Sequence, residues 1–187
     1  MDRRLTRLSK FLSYILRHHP EDLGLTPDQA GWIVVDDLIA AAHRHGHSIS
    51  REAILRIMAE SEQSRFALTE DAKYIRATYG HSIQVDLGYR PQQPPAVLFH
   101  GTARRFLDAI RRQGLTARQR QFVHLSENRT AAEAVGRRHG TPVILTVRAG
   151  QMNRDGFVFY QSDAGLWLTN RIPVSYIRFP GDREEPG

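Results

Sequence analysis

Two histidines that each stand at the end of a short apolar run are the residues best placed to hold a polar ligand. The run from Val97 to Phe99 ends in His100-Gly101-Thr102, and a second run places His124 two residues before Ser126. Imidazole and hydroxyl groups can hydrogen-bond a ribose hydroxyl or an amide. Gly101 has no Cβ, so we expect a ligand to approach its backbone closely. Either segment alone is also typical of a capped strand-to-helix turn, but the pair predicts one polar site at neighbouring strand ends.

A second group of functional side chains, Arg17-His18, follows an amphipathic helix. Apolar residues recur at helical spacing and predict a helix from Leu5 to about Leu16. Pro20 disfavours the helical conformation at His19, so the helix must end there. Cations near a helix C-terminus are favoured by the helix dipole, which by itself would explain Arg17 and His18.

Three alternating histidines, His43, His45 and His47, could chelate a metal ion. No carboxylate or cysteine completes a ligand set with them. We therefore predict a solvated helix terminus here, and no metal.

The first half of the chain has the pattern of helices followed by a small hairpin. A strand over 31–35 precedes a helix that Asp36 would cap and that would end by Gly46. Ser50 would cap a third helix, and two short strands over 65–68 and 74–77 flank a polar turn. This order predicts a winged-helix-like module, a type that commonly binds nucleic acid.

The proline-rich segment 90–95 indicates a linker, which divides the chain into a first domain of residues 1–90 and a second of 96–187. In the second domain Thr102 would cap a helix from about Ala103 to Gln113. The remaining predicted elements are strands over 97–99, 122–125, 143–147, 157–160, 166–169 and 176–179, and a helix over 130–138. The predicted fold class is α+β, with a strand-dominated second domain.

Composition excludes several classes of protein. The 187 residues are 41% hydrophobic and 25% charged, as in ordinary globular proteins, and none is cysteine. Disulfides, thiolate metal sites and a cysteine nucleophile are therefore excluded. There is no apolar stretch of 18 residues and no secretory signal, so we expect a cytoplasmic protein that does not enter a membrane. We also expect a monomer, although nothing in the sequence determines the oligomeric state. Neither glycine-rich nucleotide motif, G-x-G-x-x-G nor the P-loop, occurs.

The basic excess of the chain lies entirely in its second half. Residues 1–91 carry 12 basic and 12 acidic side chains, whereas residues 92–187 carry 14 and 8, which accounts for the net charge of +6. All but two of the basic residues are arginine, which binds phosphate in a bidentate manner. An arginine-biased genome would produce the same ratio, but the distribution suits an anionic partner such as a nucleotide or RNA.

Seven segments in order resemble the RNA 2′-phosphotransferases, also called tRNA 2′-phosphotransferases. The resemblance extends from about Ser9 to Ile177. The segments are LSYILRHHP at 12–20, GW at 31–32, RF at 65–66, IRA at 75–77 with GHS at 80–82, HGT at 100–102, VHLS at 123–126 and GLWLT at 165–169.

The resemblance implies an N-terminal winged-helix lobe that binds RNA and a C-terminal ADP-ribosyltransferase-like lobe that holds NAD as a co-substrate. It also implies a two-step reaction on an RNA with an internal 2′-phosphate, such as a tRNA. In the first step that phosphate attacks the nicotinamide-bearing ribose carbon and expels nicotinamide. In the second, the 2″-hydroxyl attacks phosphorus, which releases 2′-hydroxyl RNA and ADP-ribose 1″,2″-cyclic phosphate.

By the same resemblance, the catalytic set comprises Arg17, His18, Arg65 and Arg120. A phosphate monoester is largely a dianion at neutral pH, so it needs positioning and charge complementarity rather than a general base. The resemblance assigns NAD binding to His100, Gly101, Thr102, His124 and Ser126.

The chain departs from the family pattern at two places. Protein-modifying relatives in the superfamily carry a glutamate near the last site strand, where this chain has Leu166. An apolar residue there would leave the ribose 2″-hydroxyl able to attack in the second step. The family more usually has Asn-Gly-Val where Ala164-Gly165-Leu166 stands, and glutamine where Tyr79 precedes Gly80.

Two other functions fit part of this pattern. One is an ADP-ribosyltransferase that acts on nucleic-acid phosphates or on protein and stops after the first step. The other is a winged-helix regulator that binds nucleic acid and whose second half senses a nucleotide without chemistry. The number of functional side chains outside the first domain disfavours the regulator.

Overall fold

The computed structural model describes residues 2–61 and 64–182. The chain forms two compact units, Met1–Gly88 and Tyr89–Gly187, each with its own hydrophobic core. No helix in the described ranges combines the length and the apolar character that a membrane crossing requires.

The described part of the first unit packs three helices with one small antiparallel sheet. The helices are α1 (Arg3–Arg17), α2 (Val35–Arg44) and α3 (Arg51–Glu60), and a 3-10 turn covers Pro20–Leu23. The strands are β1 (Ile33–Val34), β2 (Phe66–Leu68) and β3 (Tyr74–Ala77). The sheet order is β1-β3-β2, so the predicted β2–β3 hairpin is confirmed.

Local signals set the bounds of α1. The Asp2 carboxylate accepts a hydrogen bond from the Leu5 N–H at 2.8 Å, and Leu12 and Leu16 are fully buried. The helix ends at Arg17 with His18 as its C-cap, two residues before Pro20, as the sequence predicts.

Of the two predicted helix caps in this unit, one is confirmed and one is wrong. Ser50 Oγ accepts from the Ala53 N–H at 3.2 Å at the start of α3. Asp36 instead lies in the first turn of α2, whose N-cap is Val34, and its carboxylate pairs with Arg51 at 2.5 Å. The helix dipole favours an acidic residue both at the N-cap and in the first turn. The residue type at position 36 therefore did not distinguish the two positions.

The histidine-rich end of α2 is a helix terminus. The ring nitrogens of His43 and His45 lie 2.7 Å from Ile49 O and 2.9 Å from Ala41 O. The His47 ring stacks on Phe11 with 4.0 Å between ring centroids. These contacts confirm the predicted helix end.

Over its described residues, 89–182, the second unit has three α-helices among short strands. They are α4 (Leu107–Gln113), α5 (Arg129–Arg137) and α6 (Ala149–Arg154). The strands are β4 (Leu98–Ala103), β5 (Leu115–Thr116), β6 (Val123–Leu125), β7 (Pro142–Val147), β8 (Tyr160–Gln161), β9 (Trp167–Thr169), β10 (Arg171–Ile172) and β11 (Ile177–Arg178).

These strands form three small antiparallel sheets. Their orders are β11-β7-β4, β6-β9-β8 and β10-β5. Helices interspersed with antiparallel sheets are compatible with the α+β class that the sequence predicts.

Two predictions for this unit are wrong in detail, and α6, β5 and β10 were not predicted. Thr102 does not cap a helix, because β4 continues through Ala103 and a 3-10 turn over Arg104–Phe106 precedes α4. Helix α6 falls in a segment for which no element was predicted. The predicted strand 157–160 starts only at Tyr160. A six-residue helix is too short to show a clear apolar period, so the sequence alone does not reveal α6.

Candidate active site

The Arg17-His18 pair lies against the turn over 78–82. The N–H groups of Ser82 and Ile83 both donate to Arg17 O, at 2.9 and 3.4 Å, and so cap a carbonyl at the end of α1. His18 Nδ1 is 2.9 Å from Ser82 Oγ. The Arg17 guanidinium carbon lies 4.5 Å from the centroid of the Tyr79 ring.

Arg65 is joined to the same turn through its backbone. It immediately precedes β2, and its carbonyl accepts from the Thr78 N–H at 3.0 Å. Its Nη1 donates to Ser61 Oγ at 2.9 Å. The turn over 78–82 therefore contacts all three first-unit residues of the predicted catalytic set, Arg17, His18 and Arg65.

His81 is a buried histidine in this turn to which the sequence assigned no role. Its side chain is almost fully buried, and within the described residues neither ring nitrogen has a hydrogen-bond partner. Burial is the main cause that lowers its pKa to about 4, and the nearby charges of Arg17, His18 and Arg76 act in the same direction. His81 is therefore neutral at physiological pH, and its position within the Gly80-His81-Ser82 motif is the signal that could have identified it.

The two histidine-bearing strands of the second unit are neighbours, as predicted. Phe99 and Ser126 exchange backbone hydrogen bonds of 2.8 and 2.9 Å, which join β4 to the end of β6. His100 Nδ1 is 3.0 Å from His124 O. The paired strand ends thus bring His100, His124 and Ser126 together.

Arg120 belongs to the same cluster. It lies in the loop before β6, exposed, with Nη1 3.5 Å from His124 Nδ1. Burial is the main cause that lowers the pKa of His100, and the charges of Arg120 and His139 lower it further. The hydrogen bond between His100 and the His124 backbone acts in the opposite direction. His139, near the end of α5, is a further histidine of this region that the sequence analysis did not single out.

The space beside Gly101 is filled by the protein itself. A Cβ at this position would lie 1.6 Å from the Ala132 carbonyl oxygen of α5, and one at Gly136 would lie 2.6 Å from Thr102 O. The interpretation that the missing Cβ gives room to a ligand is therefore wrong, because β4 and α5 use it to pack backbone against backbone. Thr102 is buried in this contact region.

A glutamate that is distant in sequence bonds to Trp167, the residue that follows Leu166. Glu127 Oε1 accepts from the Trp167 indole N–H at 2.7 Å, and Trp167 is adjacent to Leu166. The sequence around Leu166 contains no glutamate, so the contact between Glu127 and Trp167 could not be read from local sequence. The next loop residue, Asn128, donates its N–H to Ser126 Oγ at 3.0 Å and caps α5.

Among the described residues, one group has metal-ligand geometry, namely His19, Glu21 and Asp22, whose ligand atoms lie within 4.8 Å of one another. All three are exposed. His19 Nδ1 contacts Glu21 at 3.2 Å, and Asp22 accepts from the Tyr14 hydroxyl at 2.8 Å. Contacts with their neighbours account for these side chains without an ion.

Comparison with known proteins shows the family. Residues 3–171 match the family model described as RNA 2′-phosphotransferase, Tpt1 / KptA family. A protein of Agrobacterium fabrum named probable RNA 2′-phosphotransferase is 52% identical over 177 residues, which cover 95% of each chain. A protein of the same name from Acaryochloris marina is 49% identical over 94% of this chain and 97% of its own. Another, from Streptomyces coelicolor, is 48% identical over 95% of this chain and 96% of its own. With a family model that matches nearly the full length and relatives at about half identity, this chain belongs to the RNA 2′-phosphotransferase (Tpt1/KptA) family.

Proposed function

We propose that this protein is a transferase that removes an internal 2′-phosphate from RNA, with NAD as the co-substrate that receives it. The products would be 2′-hydroxyl RNA, nicotinamide and ADP-ribose 1″,2″-cyclic phosphate, formed through an RNA whose 2′-phosphate is ADP-ribosylated. Family membership at about half identity over nearly the whole chain carries this proposal. The geometry of the two residue clusters supports it.

The first cluster suits a phosphate dianion. Arg17 and Arg65 present guanidinium groups from segments tied to one turn, and guanidinium binds phosphate oxygens in a bidentate manner. We assign Arg17 and Arg65 to binding the 2′-phosphate. These charges would also stabilise the negative charge that develops at phosphorus when the bond to the RNA oxygen breaks.

We assign His18 to protonating the RNA 2′-oxygen as it leaves phosphorus. When phosphorus leaves the RNA 2′-oxygen, that oxygen must gain a proton, and a histidine is the side chain best able to supply one near neutral pH. Ser82 engages Nδ1 of the ring, so Nε2 lies on the far side and is the atom we assign to the RNA. Direct binding of the phosphate by the same nitrogen is the other role open to His18.

The second cluster offers donors that fit NAD. Imidazole and hydroxyl groups converge where β4 meets β6, and the lowered pKa keeps His100 neutral, so it can hydrogen-bond a ribose hydroxyl or an amide without adding charge. We propose that His100, Thr102, His124, Ser126 and the Gly101 backbone hold NAD. The bound co-substrate supplies an electrophilic ribose carbon and a 2″-hydroxyl.

In this proposal the two units have different roles. Three helices with the sheet β1-β3-β2 support a winged-helix-like, RNA-binding role for the first unit. The antiparallel sheets that carry His100 and His124 support an ADP-ribosyltransferase-like role for the second.

Product analysis tests the proposal. The protein is incubated with NAD and a short RNA that bears one internal 2′-phosphate, and both RNA and small-molecule products are identified. Dephosphorylated RNA together with the cyclic phosphate is expected. Accumulated ADP-ribosylated RNA would instead identify a transferase that stops after the first step. RNA binding without nicotinamide release would contradict both enzymes and identify a binding protein.

His18→Ala and Arg65→Ala provide the residue-level test, with Arg56→Ala as the matched control. Arg56 is an exposed arginine of α3 that pairs with Glu60 at 3.0 Å, so its removal should leave turnover unchanged. Loss of turnover in the two variants alone is expected. Full activity of either variant would remove that residue from the site.

A further inference from the structure

The turn over 78–82 holds the Arg17-His18 pair from two sides. The backbone N–H of Ser82, together with that of the following Ile83, donates to Arg17 O, and the side chains of Tyr79 and Ser82 contact the guanidinium and the imidazole. Gly80 has φ +83°, in the left-handed region that glycine adopts readily, and it passes close to the Arg17 side chain. The turn is thus shaped around these two functional groups.

Ser82 sets the orientation of the His18 ring. The ring is free to rotate about two side-chain bonds unless a contact selects one orientation, and the 2.9 Å contact between Nδ1 and Oγ does so. The two residues are 64 positions apart, so only the fold brings them together. A hydroxyl can both donate and accept, so it can bond Nδ1 whether or not that nitrogen carries a proton.

Tyr79 sets the plane of the Arg17 guanidinium. A guanidinium 4.5 Å from a ring centroid is held by a cation–π contact. Because the guanidinium is planar, fixing its plane also fixes the directions of its N–H donors. Bidentate capture of a phosphate depends on those directions.

We propose that Tyr79 and Ser82 are positioning residues, Tyr79 for the plane of Arg17 and Ser82 for the ring of His18. This inference rests on the proposed function, because it gives the pair its task of binding and protonating the RNA phosphate group. Neither residue touches substrate in this scheme. Ser82 keeps its contact while His18 gives up a proton, so the ring need not turn during the reaction.

Steady-state kinetics of four variants test the proposal in the full-length protein. Ser82→Ala should lower kcat/KM for RNA about fivefold to tenfold, the loss expected for one hydrogen bond. Ser82→Thr keeps the hydroxyl and should restore activity. Tyr79→Leu should lower the same parameter about tenfold, and Tyr79→Phe, which keeps the ring, should not. The KM for NAD should stay unchanged in all four.

Matched controls separate positioning from folding. Ser48→Ala and Tyr74→Leu change an exposed serine and an exposed tyrosine of the same unit and should leave kinetics unchanged. Melting temperatures are recorded for every variant. If Ser82→Ala or Tyr79→Leu retains the full kcat/KM for RNA, the proposal fails for that residue.

Double-mutant cycles show whether each residue acts through its partner. Single-turnover rates are compared for Ser82→Ala alone, His18→Ala alone and the two combined, and likewise for Tyr79 with Arg17. A positioning residue should have no further effect once its partner is gone. Additive losses would show that Tyr79 or Ser82 acts independently and would overturn the assignment.

Nitrogen NMR of the histidine rings tests the Ser82 contact without any assay of activity. In Ser82→Ala the Nδ1 resonance of His18 should shift, and in Ser82→Thr it should not. His43 and His45 are internal controls, because their rings bond to Ile49 O and Ala41 O. An unmoved His18 resonance overturns the Ser82 contact. If the wild-type protein fails to process 2′-phosphorylated RNA but the resonance shifts, the proposed function has failed and the Ser82 contact stands.

Discussion

Burial and the charges of neighbouring side chains, Arg17 above all, both lower the pKa of His81. The imidazole is almost fully buried beside Arg17 and Arg76, and protonation would add a charge to a site that is already positive. A neutral ring in this position fills space between cations without repelling them. The turn that contacts the Arg17-His18 pair therefore depends on His81 remaining unprotonated.

This dependence predicts that stability falls with pH below neutrality. The unfolded chain binds a proton at His81 near pH 6.5, whereas the folded chain does so only near pH 4. Between these values the unfolded state binds more protons, so stability rises with pH through this window and is fully present above it. His81 alone should remove ~2 kcal/mol of unfolding free energy between pH 7 and pH 5.

Urea unfolding at several pH values measures this effect. His81→Gln replaces the titrating ring with a neutral amide, so its pH dependence should be flatter than that of the wild-type protein by the same amount. The other histidines are common to both proteins and cancel in the comparison. Equal slopes for the two proteins would contradict the assignment to His81.

Leu166 allows a second test at the scale of one residue. It is half-buried at the turn before β9, next to the Trp167 whose indole is already bonded to Glu127. A carboxylate at position 166 could accept a hydrogen bond from the ribose 2″-hydroxyl and hold it away from phosphorus. Leu166→Glu is therefore expected to slow the second step more than the first, so ADP-ribosylated RNA accumulates in quenched time courses. Leu166→Met is the control, and equal slowing of both steps would count against this role.

At the scale of elements, β4 and α5 depend on two glycines for their contact. The Ala132 carbonyl occupies the position of a Cβ at Gly101, and the carbonyl of Thr102 lies close to the same position at Gly136. This close approach fixes α5 directly beside the strand that carries His100. The helix is also tied to the end of β6, because Asn128 both caps it and donates to Ser126.

Gly101→Ala is accordingly expected to be strongly destabilising. No side-chain rotation can relieve a contact of 1.6 Å with a backbone carbonyl, so β4 and α5 must separate. We expect a loss of at least ~3 kcal/mol in unfolding free energy. Denaturant unfolding measures it.

The control is Ala134→Gly in α5. Ala134 is exposed, so this substitution loses only helix propensity and should lower the free energy of unfolding by about 1 kcal/mol. A loss at Gly101→Ala no larger than that of the control would show that the contact relaxes easily.

At the scale of the molecule, charge is distributed unequally along the chain. Residues 92–187 carry 14 basic and 8 acidic side chains, against 12 of each in residues 1–91. An anionic partner would therefore be attracted over long range chiefly by the second unit. The first unit contributes a local cluster of arginine and histidine without a net excess of charge.

The affinity for RNA should consequently depend on salt. The logarithm of the association constant is expected to fall linearly with the logarithm of salt concentration, and Arg120→Gln should reduce the slope by about 0.7, the value for one phosphate contact on a single strand. Fluorescence anisotropy with a labelled 2′-phosphorylated RNA measures the slope. Arg56→Gln, a paired and exposed arginine, should leave it unchanged. An unaltered slope for Arg120→Gln would remove that residue from phosphate binding.

The sequence by itself determined those features that act over a few residues. Pro20 ends α1 next to Arg17-His18, Ser50 caps α3, and a polar turn joins β2 to β3. Each follows from backbone geometry or from a hydrogen bond within about one turn, so local pattern is sufficient. The order of motifs also identified the family. The predictions that Thr102 and Asp36 cap helices were wrong, because in each case the local sequence fits another position as well as it fits a helix cap.

Only the tertiary structure decided which distant groups meet. Ser82 reaches His18 across 64 positions, and Glu127 reaches Trp167 across 40. At the missing Cβ of Gly101 the fold admits helix α5 rather than a ligand, and it buries His81 beside Arg17 and Arg76. These contacts arise from close packing of elements remote in sequence, and burial, which shifts the pKa of His81 and His100, is itself a product of that packing. Residue types and spacing therefore identified the candidate site residues, and the fold determined how their side chains are oriented and charged.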